Sequence, residues 1–270
     1  MTARPIKKIY IELTNRCNLR CAFCPPVRRE AGAMTPAQFQ LVLEKLSSTP
    51  GHLYFHLMGE PTLHPNFAEF LRAAAAAHRT VNLTTNGTAL SRIPFDAPAL
   101  RQVNISLHCL FENKGLDRES YLSELLAFLR GSRATISLRL WSGAAAEREV
   151  VLAFLRAHFP LSETSRGYQL SERCFLNLAE PFIWPAEGKA TSSTGFCRGL
   201  RDQFGILWDG RVVPCCLDSE GELTLGNIFE EDISSILDGE RAAQIYRGFS
   251  EGRVVEGLCR RCEYRQRFDG

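Results

Sequence analysis

The 270-residue sequence predicts an α/β chain: a partial (β/α)6 TIM-like barrel over residues 1–185, then a small β-hairpin and helix module over 190–270. Three observations predict it. Short apolar strands alternate with amphipathic helices over the first ~180 residues, the signature of a parallel sheet with helical crossovers. Every strand candidate has one apolar and one polar face, and the polar face is too polar for the filled interior of an ordinary barrel. Beyond that stretch the alternation stops and cysteines gather.

The strand candidates are Lys8–Thr14, His52–Met58, Thr80–Asn86, Gln102–Cys109 and Ala134–Trp141, with a sixth inside Tyr168–Leu178. Successive side chains of a strand point to opposite faces. Ile9, Ile11 and Leu13 therefore oppose Tyr10, Glu12 and Thr14, and Leu53, Phe55 and Leu57 oppose Tyr54, His56 and Met58. Val81 and Leu83 oppose Asn82, Thr84 and Asn86; Val103, Ile105, Leu107 and Cys109 oppose Asn104, Ser106 and His108; Ile136, Leu138 and Leu140 oppose Ser137, Arg139 and Trp141. The apolar faces suit packing under helices, and the polar faces suit an open lumen that holds ligands. An antiparallel sheet with one wet face conflicts with the intervening helices.

Thr35-Pro36 reads as an N-cap followed by proline at the first helical position, with Phe39, Val42, Leu43 and Leu46 as its apolar stripe. Phe67, Phe70, Leu71 and Ala74 repeat that spacing, as do Leu122, Leu125, Leu126 and Leu129, then Val151, Phe154, Leu155 and His158. His78 and His158 fall at helix C-termini, where histidine suits a capping role. In the second module, Phe204–Leu207 and Val212–Cys216 flank an Asp209-Gly210 turn, and Ile233, Ile236 and Leu237 begin a helix.

Composition removes several classes. A net charge of +2 gives no nucleic-acid footprint, and the arginines near the C-terminus, interrupted by Glu263, read as a solvated face. No run approaches the ~18 apolar residues of a membrane span, and Met1–Tyr10 lacks the apolar core of a signal peptide. A cytoplasmic protein is expected, where disulfides are rare. Its ten cysteines then point to metal.

Cys17, Cys21 and Cys24 form C-x3-C-x2-C directly after the first strand. Three thiolates on one loop can hold three corners of a cubane and leave the fourth iron open. Structural zinc wants four protein ligands, and this loop has no fourth, so the spacing favours iron–sulfur over zinc. Cys17-Asn18-Leu19-Arg20-Cys21-Ala22-Phe23-Cys24, with its aromatic residue before the last cysteine, resembles the signature loop of the radical S-adenosylmethionine superfamily. Gly59-Glu60-Pro61 after the second strand resembles that family's GEP motif; Thr84-Thr85-Asn86-Gly87 and Ser106-Leu107-His108 end the third and fourth strands as in many relatives.

The resemblance implies a 4Fe–4S cluster on Cys17, Cys21 and Cys24 whose open iron chelates S-adenosylmethionine, and a 5′-deoxyadenosyl radical that abstracts hydrogen from the substrate. It places Phe23, Gly59, Glu60, Pro61, Asn86, Ser106 and Arg139 among the cofactor-binding residues, with His108 and Arg139 as catalytic candidates. A flavodoxin- or ferredoxin-type electron donor follows. The residues agree independently, because the cysteine loop, Glu60, Asn86, Ser106, His108 and Arg139 all fall at the C-terminal ends of parallel strands, where β/α barrels build their sites. His56, lower on the same face, is expected to be structural.

Cys197, Cys215, Cys259 and Cys262 form C-x17-C-x43-C-x2-C. With Gly210-x4-Cys215, Gly226-Asn227 and Cys259-x2-Cys262, the stretch resembles the auxiliary-cluster domains called SPASM and, when shortened, twitch. The chain ends eight residues after Cys262, so one auxiliary 4Fe–4S cluster is expected. A structural zinc knuckle is the alternative for Cys259 and Cys262. Adjacent Cys215 and Cys216 diverge, and the glycine spacing favours Cys215 as the ligand. Cys109 reads as core and Cys174 is unassigned.

The expected reaction is hydrogen abstraction that leaves a small-molecule or peptide substrate oxidised, the auxiliary cluster accepting an electron. A redox-neutral epimerase using Cys109 or Cys216 as hydrogen donor is the alternative, and a non-catalytic metal-binding protein the alternative of another class. The short lead into the first strand argues against a fused leader-peptide recognition domain.

Overall fold

The computed structural model describes residues 5–141, 144–189 and 192–268. β1 (Lys8–Ile11) leads through a long loop to α1 (Pro36–Lys45); β2 (His52–Phe55), α2 (Phe67–Ala76), β3 (Val81–Thr85) and β4 (Leu100–Ser106) follow. After β4 come the short α3 (Cys109–Glu112), α4 (Arg118–Gly131), β5 (Thr135–Trp141) and α5 (Ala145–Arg156). Strands β6 (Ser162–Thr164), β7 (Gly167–Ser171) and β8 (Cys174–Ala179) complete the first region. The second holds β9 (Gln203–Ile206), β10 (Arg211–Val213), β11 (Gly226–Asn227), α6 (Ile233–Asp238), α7 (Glu240–Ser250) and α8 (Gly257–Arg260).

All strands join one sheet, ordered β11-β10-β9-β1-β2-β3-β4-β5-β8-β7-β6. β1 to β5 and β8 run parallel, which gives the six parallel strands of an unclosed barrel. The sixth parallel strand expected inside Tyr168–Leu178 is β8, which pairs with β5, and β7 lies antiparallel to it as the other arm of a hairpin. The second region extends the same sheet, because β9 lies parallel to β1 with Tyr10 opposite Gly205. Its hairpin turns at Gly210, where φ is +86° and a Cβ would stand 2.3 Å from Asn227 Oδ1, so only glycine fits.

The two strand faces enclose different cores. Ile9, Ile11, Leu53, Phe55, Leu83, Val103, Ile105, Ile136 and Leu138 pack under Phe39, Phe70, Leu125 and Leu155 of the helices. Phe39 and Phe70 approach with ring centroids 4.8 Å apart. Tyr10 faces the opposite side with Leu207 and Val213, beside Tyr54 and Cys216. α1 forms as expected, with a capping box in which Thr35 Oγ1 accepts from the Gln38 amide and Gln38 Oε1 from the Thr35 amide.

Two strand side chains and one helix stripe depart from the periodicity of the sequence. Leu57 packs with Tyr10 rather than with Leu53 and Phe55, because β2 ends at Phe55 and Leu57 takes φ +121°, which breaks the period of two. β4 ends at Ser106, so Cys109 opens a helix instead of continuing a strand, although it is buried core. In α4 the buried set is Tyr121, Leu125, Phe128 and Leu129, displacing Leu122 and Leu126. The Tyr121 hydroxyl, donating 3.0 Å to the Asn86 carbonyl, turns that face inward.

Candidate active site at the strand ends

The cysteine loop is closed at its base by hydrogen bonds. Thr14 Oγ1 donates to the Gly32 carbonyl at 2.7 Å, while the Asn15 side chain donates to the Glu30 carbonyl and accepts from the Gly32 amide. Gly59 docks against this neck with φ +75°, and a Cβ there would stand 2.2 Å from the Thr14 carbonyl oxygen. The Glu60 amide donates 2.9 Å to the Arg16 carbonyl, so the Gly59-Glu60-Pro61 turn and the loop hold each other.

Glu60 is 1% exposed. Its Oε1 accepts from the Thr62 amide, the Thr62 hydroxyl and the Thr85 hydroxyl, at 3.0, 2.7 and 2.8 Å. Oε2 accepts from the Asn86 amide at 2.6 Å. Burial raises its pKa and these donors oppose the rise. Each carboxylate oxygen has about two acceptor sites, so three donors share those of Oε1 and Oε2, with one donor, keeps a lone pair. Glu60 therefore organises the end of β3 and retains room for one further donor.

Asn86 carries that order to the cysteines: its Nδ2 lies 3.6 Å from Cys17 Sγ and donates 3.0 Å to Asn18 Oδ1. The Leu19 amide also donates to Cys17 Sγ, at 3.4 Å. Sequence reasoning missed Asn113, whose Nδ2 donates 3.2 Å to Cys21 Sγ, and Glu112, which accepts from the Phe23 amide. Neither belongs to a motif; α3 brings them in. Cys21 and Cys24 share a hydrogen bond that lowers Cys21 to about 7 and raises Cys24. Cys17 and Cys24 are exposed and Cys21 half-buried. Thiols accessible to an incoming metal, with N–H donors on two of the sulfurs, make a donor set suited to a cluster with one open iron.

Phe23 stands in an aromatic group, edge-on to Trp141, Phe182 and His108 at 5.1, 5.2 and 5.6 Å. Trp184 lies 6.1 Å from Phe23. Phe182 and Trp184 come from the segment after β8 and carried no sequence signal. His108 is 6% exposed; burial pushes its pKa down to about 4, and its Nδ1 has no partner among the described residues. It is a neutral imidazole at pH 7. Ser106 lies in register with Arg139 on β5, and its carbonyl accepts from the Cys109 thiol. His56, half-buried, is driven down to about 3 by loss of solvation and then by Arg139.

The second cysteine set assembles across the sheet extension. The charges acting on Cys215 are those of Cys216, Cys197, Cys259 and Cys262, and with burial they push its thiol far up. Burial, then Cys197 and Cys262, do the same to Cys259. Cys197 Sγ accepts from the Gly199 amide at 3.4 Å. Arg265, 2% exposed, sets a cation beside Cys197 and Cys262 and opposes the rise in both; sequence reasoning had put it on a solvated face. Its NH1 donates to the Thr194 carbonyl, so the cation belongs to the interior of the second region. Cys216 turns the other way: its thiol is hydrogen-bonded by Tyr10, and its charged neighbours are Lys8 and Arg139. Cys174 opens β8 inside the helix-side core. Among the described residues no three His, Cys, Asp or Glu side chains stand at the spacing of a single bound ion. Four mutually interacting thiols suit an auxiliary cluster with every iron capped.

The two regions are tied by Glu12 and Arg29, a bidentate pair at 2.6 and 3.0 Å with side chains 0% and 6% exposed. Arg29 Nε also donates to the Ser219 carbonyl, and Glu12 accepts from the Trp208 amide.

Residues 11–130 match the Radical SAM superfamily, and residues 197–263 match SPASM, an iron-sulfur cluster-binding domain. The chain thus carries a radical SAM domain followed by a SPASM domain. The radical SAM match spans the Cys17–Cys24 loop, and the SPASM match runs from Cys197 through Cys262. As a radical SAM protein with a SPASM domain it is an enzyme that binds S-adenosylmethionine with a 4Fe–4S cluster and carries auxiliary iron–sulfur binding.

The chain is 26% identical to an S-adenosyl-L-methionine-dependent 2-deoxy-scyllo-inosamine dehydrogenase of Niallia circulans, over 94% of this chain and 91% of that one. A tungsten-containing aldehyde ferredoxin oxidoreductase cofactor-modifying protein of Pyrococcus furiosus is 36% identical over 90 residues, 32% of this chain and 25% of its own length. A GTP 3',8-cyclase of Trichodesmium erythraeum is 34% identical over 38% of this chain and 34% of its own. Among solved structures, BtrN in complex with AdoMet and 2-DOIA superposes with a TM-score of 0.65 at 19% identity, covering 96% of this chain and 93% of that one. Streptococcus suis SuiB bound to precursor peptide SuiA gives 0.65 at 16% identity, covering 96% and 71%. These two likenesses show the fold. No helix of the described residues is long and apolar enough to cross a membrane.

Proposed function

We propose that this radical SAM enzyme oxidises a small molecule by hydrogen abstraction, with the auxiliary cluster on Cys197, Cys215, Cys259 and Cys262 as electron acceptor. When bound, the cluster at Cys17, Cys21 and Cys24 together with S-adenosylmethionine supplies the 5′-deoxyadenosyl radical. The chain's own residues prepare the site. Asn86, Leu19 and Asn113 hold the sulfurs, Glu60 fixes the strand end beside them, and the aromatic group around Phe23 shields the lumen from water.

The observation that carries the oxidative reading is the separation of Cys215 from Cys216. Cys215 acts with Cys197, Cys259 and Cys262 as a closed set of four thiols, which leaves no iron for the substrate and suits electron transfer. The near full-length similarity to an inosamine dehydrogenase supports the same reading. A peptide substrate and a flavodoxin- or ferredoxin-type donor remain compatible with it; the likeness to SuiB with its precursor peptide shows that the fold accommodates a peptide elsewhere.

One observation favours a second reading. Cys216 presents a thiol to the lumen beside Tyr10, where a redox-neutral epimerase would need its hydrogen donor. Cys109 is less suited, being buried and donating to the Asn86 and Ser106 carbonyls. Mass spectrometry in heavy water separates the two. Oxidation yields a product two hydrogens lighter, with substrate deuterium recovered in 5′-deoxyadenosine. Epimerisation yields the substrate's mass plus one deuterium, and that pattern would replace the oxidative reading.

A further inference from the structure

A cavity of about 660 Å³ opens at the N-terminal ends of the first strands, the end of the sheet away from the cysteine loop. Lys8 and His52 are the first residues of β1 and β2, and Arg101 is the second of β4. Four of the lining residues, Lys7, Lys8, Arg79 and Arg101, are cations; His52 and His78 add two imidazoles. No Asp or Glu among the described residues lines it. At roughly 3.3 Å per residue, β1 alone sets the cavity about 13 Å from the strand ends that carry the cysteines.

The fold places these cations. Half-buried Arg79 donates through Nη1 to the Leu46 and Thr49 carbonyls, at 3.2 and 2.8 Å, and through Nη2 to the Gly51 carbonyl at 2.9 Å. Arg101 Nη1 donates 3.2 Å to Asn82 Oδ1. Asn82 is 0% exposed and stands in register with Tyr54 of the cavity wall; its Nδ2 donor has no partner among the described residues. The Lys7 and Lys8 amides donate to the Asp202 carbonyl at 2.7 and 3.0 Å, and the His52 amide to the Lys7 carbonyl at 2.9 Å. Gly51 permits that approach, with φ +110° and a Cβ position 2.8 Å from the Lys7 carbonyl carbon.

Carbonyl and amide oxygens hold the two guanidinium groups without cancelling their charge. None of the four cations forms an ion pair among the described residues, and the Asp202 carboxylate goes to Arg198 at 3.2 Å. Like charges around one concave space repel each other, and the cleft focuses their field on whatever enters it. His52, held by Thr80 Oγ1, registers that field: burial first, then Arg101 and Arg79, keep its pKa below the ordinary value.

A carboxylate would match one cation of the four. A phosphoryl group brings about −1.5 to −2, so two of them match the set. The volume is that of a small-molecule site, for which about 300–1,000 Å³ is usual. A nucleic-acid groove would need a basic stripe over much more surface than a chain of net charge +2 offers. We propose that this cavity binds a small molecule through a diphosphate group, with Lys7, Lys8, Arg79 and Arg101 as its counter-charges. The proposal does not depend on the oxidative reading of the cysteine sites.

Inorganic pyrophosphate is the probe and inorganic phosphate its one-group counterpart, titrated calorimetrically at constant ionic strength into the cluster-loaded enzyme with S-adenosylmethionine bound. Pyrophosphate should bind at least about tenfold more tightly than phosphate. Lys8→Gln and Arg101→Gln should each weaken it about tenfold, the scale of one charged hydrogen bond, while their thermal melting without probe stays that of the parent. Arg166→Gln removes the same charge from the turn between β6 and β7, outside the cavity, and should change binding less than about threefold. Equal affinity for the two anions, no binding of pyrophosphate, undiminished binding in either cavity variant, or an equal loss in Arg166→Gln would each overturn the proposal. So would displacement of pyrophosphate by a single-stranded oligonucleotide at a lower concentration of phosphate groups, which would make the cavity part of a nucleic-acid surface.

Discussion

The two cysteine sets reach similar chemistry by opposite routes. Cys17, Cys21 and Cys24 lie within eight consecutive residues on a loop, two of them exposed, and the rest of the site comes to them: Asn86 from β3, Asn113 from α3, Glu60 behind. Cys197, Cys215, Cys259 and Cys262 span 66 residues and meet only because β9 adds to β1 and the C-terminal turn folds back. The first set is a local motif with an open side. The second is partly buried and defined by tertiary contacts, with burial and mutual charge raising the thiols. Access separates an iron that must accept a ligand from a cluster that needs only proximity.

The largest test of this contrast removes one set at a time. Replacing Cys17, Cys21 and Cys24 together with alanine should abolish 5′-deoxyadenosine formation and leave about four of about eight irons per chain. Replacing Cys197, Cys215, Cys259 and Cys262 should also halve the iron, yet leave S-adenosylmethionine cleavable while substrate oxidation stops. Cleavage surviving the first variant would end the radical reading.

A smaller change separates neighbours. Cys215→Ser should lose the auxiliary cluster, about four irons, and Cys216→Ser should retain it, because Cys215 interacts electrostatically with Cys197, Cys259 and Cys262 while Cys216 is hydrogen-bonded by Tyr10. The reverse iron count would show that the hairpin presents the other thiol.

The mildest test probes how the loop is held. Glu60→Gln keeps the shape but removes the charge and one acceptor, while the Asn86 and Thr85 donors persist. S-adenosylmethionine affinity should fall about tenfold, from the loss of one charge-assisted hydrogen bond, with both clusters intact by iron analysis. Loss of the first cluster instead would mean that Glu60 serves the loop's architecture alone.

Alternation and spacing made much of this legible in the sequence. Strand faces, the capped helix at Thr35 and the C-x3-C-x2-C loop depend on residues close in the chain, where a period of two, a cap or a loop spacing has direct geometric meaning. The parallel order followed from the alternation of strands with helices, and the open lumen from the polar strand faces. The sheet's continuation through β9, the hairpin that supplies the sixth strand, and the reversal at Leu57 depended on how segments meet. So did Asn113, Glu112, Phe182, Trp184 and the buried Arg265, which stand in no motif and reach the site from other elements.

The sequence by itself supplied the cysteine spacings and the polar strand ends that nominate the site, because a thiolate's chemistry and a strand's direction travel with the residue. Only the tertiary structure decided how fully Glu60 is occupied and that Arg265 is buried within the second region. Those are questions of orientation and desolvation, and they are answered only when distant side chains share one interior.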